Sequence, residues 1–383
     1  MTKDKSKNDP AQPPFIINDK VSQEEQPAIP EVVYIEDGFV PTVEQAKAKN
    51  IKVTPHDLII GGGRRGKETD TVFLKRMAGA YQKALELAGQ MIIGHQLVLE
   101  GAITALVSQG HCLLSGAPGM AKKTLVRTLA QLFGLGFRSI SMTSDLPPTE
   151  LTQFDMRVEN GKKIPDGPLF ANILLIEEID RAQIRTQSVL LNAIENEYVT
   201  VETGQPQIPL PKPFFVVATK TPVEHESIAP LTASQLDRFM MKLVVEYPTF
   251  DEEIQLARCT VTKVAPIITP VMLPNDLLRL QELIPQTQVD DDVAEFAVTM
   301  VRKTRVADPS ETYKFVPQQV VLGAGTRSLQ MLLRAAQARA VLSGRLKVTK
   351  NDVRFVSKPV LRHRLVMQPD ASLSPDDVIE HLD

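Results

Sequence analysis

The sequence predicts an α/β fold, a parallel sheet flanked by helices and followed by a small C-terminal all-α domain, and three observations lead there. Short apolar runs rich in β-branched or aromatic residues recur at Phe137–Met142, Ile173–Ile176 and Phe214–Ala218, with helical patterns between several of them. An earlier run, His111-Cys112-Leu113-Leu114, ends in a Pro/Gly turn and leads into an amphipathic stretch with Leu125, Leu129 and Phe133 on one side. After Pro248 the periodicity is helical throughout.

In chain order, residues 1–30 mix Lys, Asp, Gln, Glu and Pro with few large apolar side chains. Burial could not offset the backbone entropy of ordering them, so a disordered tail is expected. Apolar residues return in short groups over 31–70, at Val32-Val33-Tyr34-Ile35 and Leu58-Ile59-Ile60, and predict a partly ordered extension. Phe73, Met77, Tyr81, Leu85 and Ala88 keep to one face of a 3.6-residue period and predict a helix over 72–88. The α/β core is expected over 71–248. Beyond it, Glu252–Thr262, Asn275–Leu283, Val289–Thr304, Gly325–Leu342 and Thr349–Leu365 read as helices of a second domain over 249–383 that ends in a short tail. No repeat of fixed period points to a solenoid or propeller.

The 383 residues leave room for two or three units of the usual ~100–200 residues. With 43% hydrophobic and 23% charged residues, the composition is that of an ordinary soluble protein. A net charge of -3 gives no general attraction to phosphate backbones, so nucleic acid is not favoured as the main partner. Cys112 and Cys259 lack paired spacing and are expected as buried thiols in a reducing compartment. No run reaches the roughly 18 apolar residues of a membrane span. The N-terminus lacks the apolar core of a signal peptide, and a cytoplasmic location is expected.

The run Gly116-Ala117-Pro118-Gly119-Met120-Ala121-Lys122-Lys123-Thr124 follows a strand and opens a helix. In that setting backbone N–H groups and the helix N-terminus can surround phosphates, and Lys122 would reach the β and γ phosphates of ATP. Against the pattern G-x-x-x-x-G-K-[ST], Ala121 takes the last Gly, and Lys123 takes the hydroxyl that ligates Mg²⁺. A register one residue later would make Lys123-Thr124 the Lys-Thr pair and needs a longer loop. A second near match, Gly61 to Lys67, ends in Glu68, stands outside the strand series and reads as a flexible basic loop.

Downstream, Ile173-Leu174-Leu175-Ile176 ends in the adjacent carboxylates Glu177 and Glu178. Successive strand side chains face opposite ways, so the two can take different roles. In P-loop enzymes the first orients hydrated Mg²⁺ and the second polarises the attacking water. His225 is expected to be a hydrogen-bonded structural residue, and His363, between Arg362 and Arg364, part of a solvated or acid-paired basic helix end.

Around these acids stand Gly167-Pro168-Leu169-Phe170-Ala171-Asn172, Ile179-Asp180-Arg181-Ala182, Thr186-Gln187, Pro222-Val223-Glu224-His225-Glu226 and Gln235-Leu236-Asp237-Arg238-Phe239. Together with Ile93-Gly94 before them and Val360-Leu361-Arg362-His363-Arg364 near the end, these strings resemble the MoxR family of AAA+ ATPases over residues 91–366. The resemblance implies a P-loop AAA+ core with a helical lid, and a ring in which nucleotide lies between core, lid and a neighbouring subunit. Carried over by position, Lys122 is the Walker A lysine and Glu177 and Glu178 are the Walker B pair. Thr221 stands at sensor 1, Arg238 at the arginine finger and Arg327 at the sensor 2 arginine. Ala121 agrees with the family's own loop. Lys123, Glu177 and Thr221 depart from it, replacing Thr, Asp and Asn.

An ammonium at position 123 would compete with Mg²⁺, and Glu177 would sit within its reach. Nucleotide binding with weak Mg²⁺ dependence and slow ATP hydrolysis is therefore expected. The resemblance implies a chaperone-like remodeller of a protein client, with a von Willebrand A domain protein as the expected companion. The alternative is a non-hydrolysing structural subunit of a homo- or hetero-oligomeric ring.

Overall fold

The computed structural model describes residues 68–382 outside the stretches 153–155, 160–161, 166, 200–206, 221–228, 263–268 and 307–315. The two segments expected over 1–30 and 31–70 lie outside these residues except for 68–70, as do the Gly61 loop, Thr221 and His225.

The chain enters through two helices, α1 (Asp70–Met91) and α2 (Gln96–Val107). α1 is amphipathic and buries Phe73, Leu74, Met77, Tyr81, Ala84 and Ala88, the spacing the sequence showed. α2 buries nearly every side chain from Val98 on, because it is packed between the sheet and the C-terminal helices. Such all-round burial erases periodicity.

Five strands follow, β1 (Cys112–Ser115), β2 (Phe137–Ser141), β3 (Ile173–Glu177), β4 (Phe215–Thr219) and β5 (Met241–Val244). They form one parallel sheet in the order β2-β3-β4-β1-β5. Helix α3 (Lys122–Leu132) carries the chain from β1 across to β2, and α4 (Ile184–Asn196) from β3 towards β4. The edge strand β5 escaped the sequence reading, since its alternation runs over only four residues. Along β3, Ile173 and Leu175 join the core shared with α1, α2 and α3, whereas Leu174 and Ile176 join the core under α4. β1 lies between β4 and β5, although its chain leaves in the direction of β2. A crevice opens beside its carboxyl end, the position where α/β sheets take ligands.

The C-terminal segment comprises α5 (Phe250–Thr262), α6 (Pro274–Leu283), α7 (Asp291–Lys303), α8 (Thr326–Leu342), α9 (Lys350–Leu361) and α10 (Pro375–His381). Three expectations change here. Val320–Leu322 pairs antiparallel with Val366–Met367, so the segment is not purely helical. α9 stops at Leu361 rather than Leu365, because Arg362 to Arg364 turn inward against the core. The expected tail instead ends in α10, whose start is held by the Ser374–Asp377 capping box, a signal too short to register as periodicity.

His363 is likewise buried rather than solvated. Its Nε2 faces the Phe239 carbonyl at 3.0 Å, and burial holds its pKa well below the usual value. Beside it the Arg364 guanidinium donates to Asp237 Oδ1 at 2.7 Å and to the carbonyls of Asp237, Phe239 and Met240. The lid thereby grips the turn that carries Arg238.

Candidate nucleotide site

The loop from Gly116 to Ala121 fills the crevice at the end of β1. At Gly116 a Cβ would fall 2.6 Å from the Val245 carbonyl oxygen, so the loop's path against the chain leaving β5 requires glycine. Gly119 (φ 80°) and Ala121 (φ 52°) take left-handed backbone before α3 begins. That conformation is the reason the general pattern has glycine at 121, and an alanine there costs about 1 kcal/mol. Met120 is buried and anchors the loop, while Pro118, Gly119 and Thr124 are exposed.

Lys122 and Lys123 point to different places. The Lys122 ammonium lies inside the loop and donates to the carbonyls of Gly116 at 2.7 Å and Ala117 at 2.8 Å. Burial pulls its pKa down, opposed by the charges of Glu178 and Glu177. Lys123 reaches across to Glu177 and bonds Oε1 at 2.9 Å. The two acids diverge as strand alternation requires. Glu178 has left-handed backbone (φ 57°), its N–H donates to Thr219 Oγ1 at 2.9 Å, and its carboxylate pairs with Arg181 at 3.1 Å. Thr219 was not singled out in the sequence. Its signal was a hydroxyl at the end of the strand beside β1, where Leu114 faces it in register.

Mg²⁺ takes oxygen donors at short range in near-octahedral geometry. The helix position that would supply a hydroxyl carries the Lys123 ammonium, and the first acid is already paired with it. The residues present do not fit the ion.

A cavity of about 660 Å³, the size of a small-molecule site, is lined by Val244 and Glu246, the chain neighbours of Val245, which itself packs against Gly116 of the loop. Ile93, Gly94 and His95 line one side, Leu243 the floor, and Phe355 and Pro359 of α9 the other. Core and lid thus both contribute walls, and the charged side chains of Glu246, Glu252, Lys358 and Arg362 stand among the apolar ones.

Arg238 and Arg327 are brought to each other but not to this loop. Both reach Glu195 at the end of α4, Arg238 at 3.5 Å and Arg327 at 3.1 Å. Arg238 lies just before β5, and Met241 pairs with Cys112 at the start of β1, whereas the loop begins after Ser115 at its other end. The length of β1, roughly 13 Å at ~3.3 Å per residue, separates the arginines from the loop of their own chain.

Comparisons with known proteins agree with this arrangement. Residues 111–241 match the ATPase family associated with various cellular activities (AAA), and residues 315–382 match the AAA lid domain. The chain is 37% identical over 295 residues to the YeaC protein of Bacillus subtilis, covering 76% of this chain and 88% of that one. It is 35% identical over 307 residues to Chaperone MoxR1 of Mycobacterium tuberculosis, covering 79% and 80%. A crystal structure from Cytophaga hutchinsonii, provisionally assigned as an ATPase, superposes with a TM-score of 0.72 at 28% identity over 81% of this chain and 95% of that one. Nucleotide binding, ordinarily with Mg²⁺, is the property such ATPases share. With its phosphate loop, paired acids and lid in this order, the chain belongs to the MoxR family of AAA+ ATPases.

Proposed function

We propose that this chain is a cytoplasmic, ATP-binding subunit of an AAA+ ring that remodels protein partners and hydrolyses ATP slowly. The base occupies the cavity between Ile93 and Phe355, and the phosphates lie over the loop, where Lys122 exchanges two backbone carbonyls for phosphate oxygens. Glu178 stands where a water would be polarised, with Arg181 as its resting partner. Arg238 and Arg327, remote from their own loop, serve the nucleotide of the adjoining subunit, and Thr221 remains the sensor 1 candidate. A protein client, with a von Willebrand A domain protein as companion, follows from the chaperone name of the Mycobacterium tuberculosis relative and the family resemblance.

The observation that carries slow turnover is the Lys123–Glu177 ion pair at 2.9 Å. It places a fixed positive charge where the metal would stand, and phosphoryl transfer depends on metal and positioned charge. The same pair favours a second reading, a non-hydrolysing subunit that supplies Arg238 to an active homologue in a mixed ring. Calorimetry of ATP binding with Mg²⁺ and with EDTA tests the site, and phosphate release tests turnover. Affinities within about threefold of each other are expected, together with a gain of tenfold or more in phosphate release for Lys123→Thr, Glu177→Asp, Thr221→Asn. Turnover in the unaltered chain matching that triple variant would defeat the reading.

A further inference from the structure

A second cavity, of about 440 Å³, lies at the amino-terminal edge of the sheet. Its walls come from the turn before β1, the end of α4, the turn carrying Arg238, and one face of α8. Arg327 and Arg334 lie seven residues apart on α8, two turns along the same face, and both line this cavity with Arg238.

The three guanidiniums are not equivalent. Arg238 and Arg327 share the carboxylate of Glu195, and Arg327 also lies 4.0 Å from Asp237, a carboxylate already held by Arg364 at 2.7 Å. Arg334 has no carboxylate within ion-pair range among the described residues; it donates to the side-chain oxygen of Gln109. Gln109 is itself fixed, with left-handed backbone (φ 57°) and its amide donating to Gln281 Oε1 at 3.3 Å, while Gln281 donates to the Leu106 carbonyl at 3.0 Å. A neutral acceptor on a braced side chain thus holds Arg334 against the cavity without cancelling its charge. The other wall acid, Glu197, is shared with Lys212 at 3.3 Å. Positive charge is therefore in excess, and the space suits an anion with several oxygens, which guanidiniums grip in pairs.

We propose that Arg334 is a third phosphate-binding residue, completing with Arg238 and Arg327 a cavity for the triphosphate of a nucleotide held by a second copy of this chain. Glu195 is the counter-ion that the triphosphate replaces. The proposal rests on the nucleotide-binding ring reading above, and β1 keeps the chain's own loop from supplying the ligand.

The test begins with full-length Lys122→Met, in which the chain's own loop is disabled, titrated at low salt with inorganic tripolyphosphate. Binding of one tripolyphosphate is expected. Adding Arg334→Gln should weaken it about tenfold, and adding Glu195→Gln should tighten it severalfold. Arg334→Lys keeps the charge and should recover most of the affinity, an outcome that misfolding cannot produce. Unchanged affinity in Arg334→Gln, or absence of binding in Lys122→Met, would overturn the proposal.

Sedimentation with and without ATP then identifies the source of the triphosphate. Arg334→Gln in the otherwise unaltered chain should weaken ATP-dependent self-association about tenfold, and ATP affinity should fall with it at chain concentrations where copies associate, because the two equilibria are linked. A chain that binds no ATP defeats the proposed function itself. ATP binding with self-association indifferent to Arg334 defeats this inference alone.

Discussion

At the scale of single residues, burial rather than charge pairing sets the behaviour of His111 and His363. His111 is buried beneath Phe214 and Phe215, and its Nδ1 accepts the Val216 N–H at 3.0 Å. Burial pulls its pKa from the ordinary 6.5 down to about 4, and His363 moves in the same direction. Below pH 6.5 the unfolded chain takes up protons that the folded one refuses. Stability from these groups is therefore complete above pH 6.5 and is lost as pH falls towards 4. His111 alone should cost about 2 kcal/mol between pH 7 and pH 5. Denaturant midpoints at the two pH values measure this, and His111→Gln should reduce the slope. An identical slope in that variant would assign the effect elsewhere.

At the scale of elements, the ends of helices show how local chemistry holds the lid. Thr349 caps α9 by accepting the Asp352 N–H, and the Asp352 carboxylate returns to the Thr349 N–H at 2.9 Å. Asp352 also takes a two-point bond from Arg345, and its pKa is depressed because these bonds outweigh its burial. Thr349→Ala removes the two hydroxyl bonds to Asp352, one accepted from its N–H and one donated to its carboxylate, and should lower stability by about 1 kcal/mol, read as a shift in the thermal midpoint. Helices of several turns with an exposed polar face were legible in the sequence to within a few residues, whereas α10, despite its capping box, is too short to show a period. α2 was not legible, since a helix buried on all sides shows no periodicity, and neither was β5, since four residues carry too little pattern.

At the scale of the whole molecule, the lid and the core are joined through Arg364. Its buried guanidinium satisfies the Asp237 carboxylate and three carbonyls of the turn before β5. Arg364→Met would leave those acceptors without their donor, with an expected loss of about 3 kcal/mol in denaturant unfolding. Because the same turn presents Arg238, the variant should also lose ATP-dependent self-association. Retention of both stability and association would show that the contact is dispensable.

The sequence by itself determined the sheet and lid order, the phosphate loop, the paired acids and the departure at Lys123, because each is written in neighbouring residues whose spacing is local. Only the tertiary structure decided that Lys122 turns into the loop while Lys123 crosses to Glu177, that Thr219 holds Glu178, and that Arg238, Arg327 and Arg334 gather at the far edge of the sheet. Those placements depend on strand order and on the docking of α8, which bring together residues far apart in the chain. No local pattern encodes such distances.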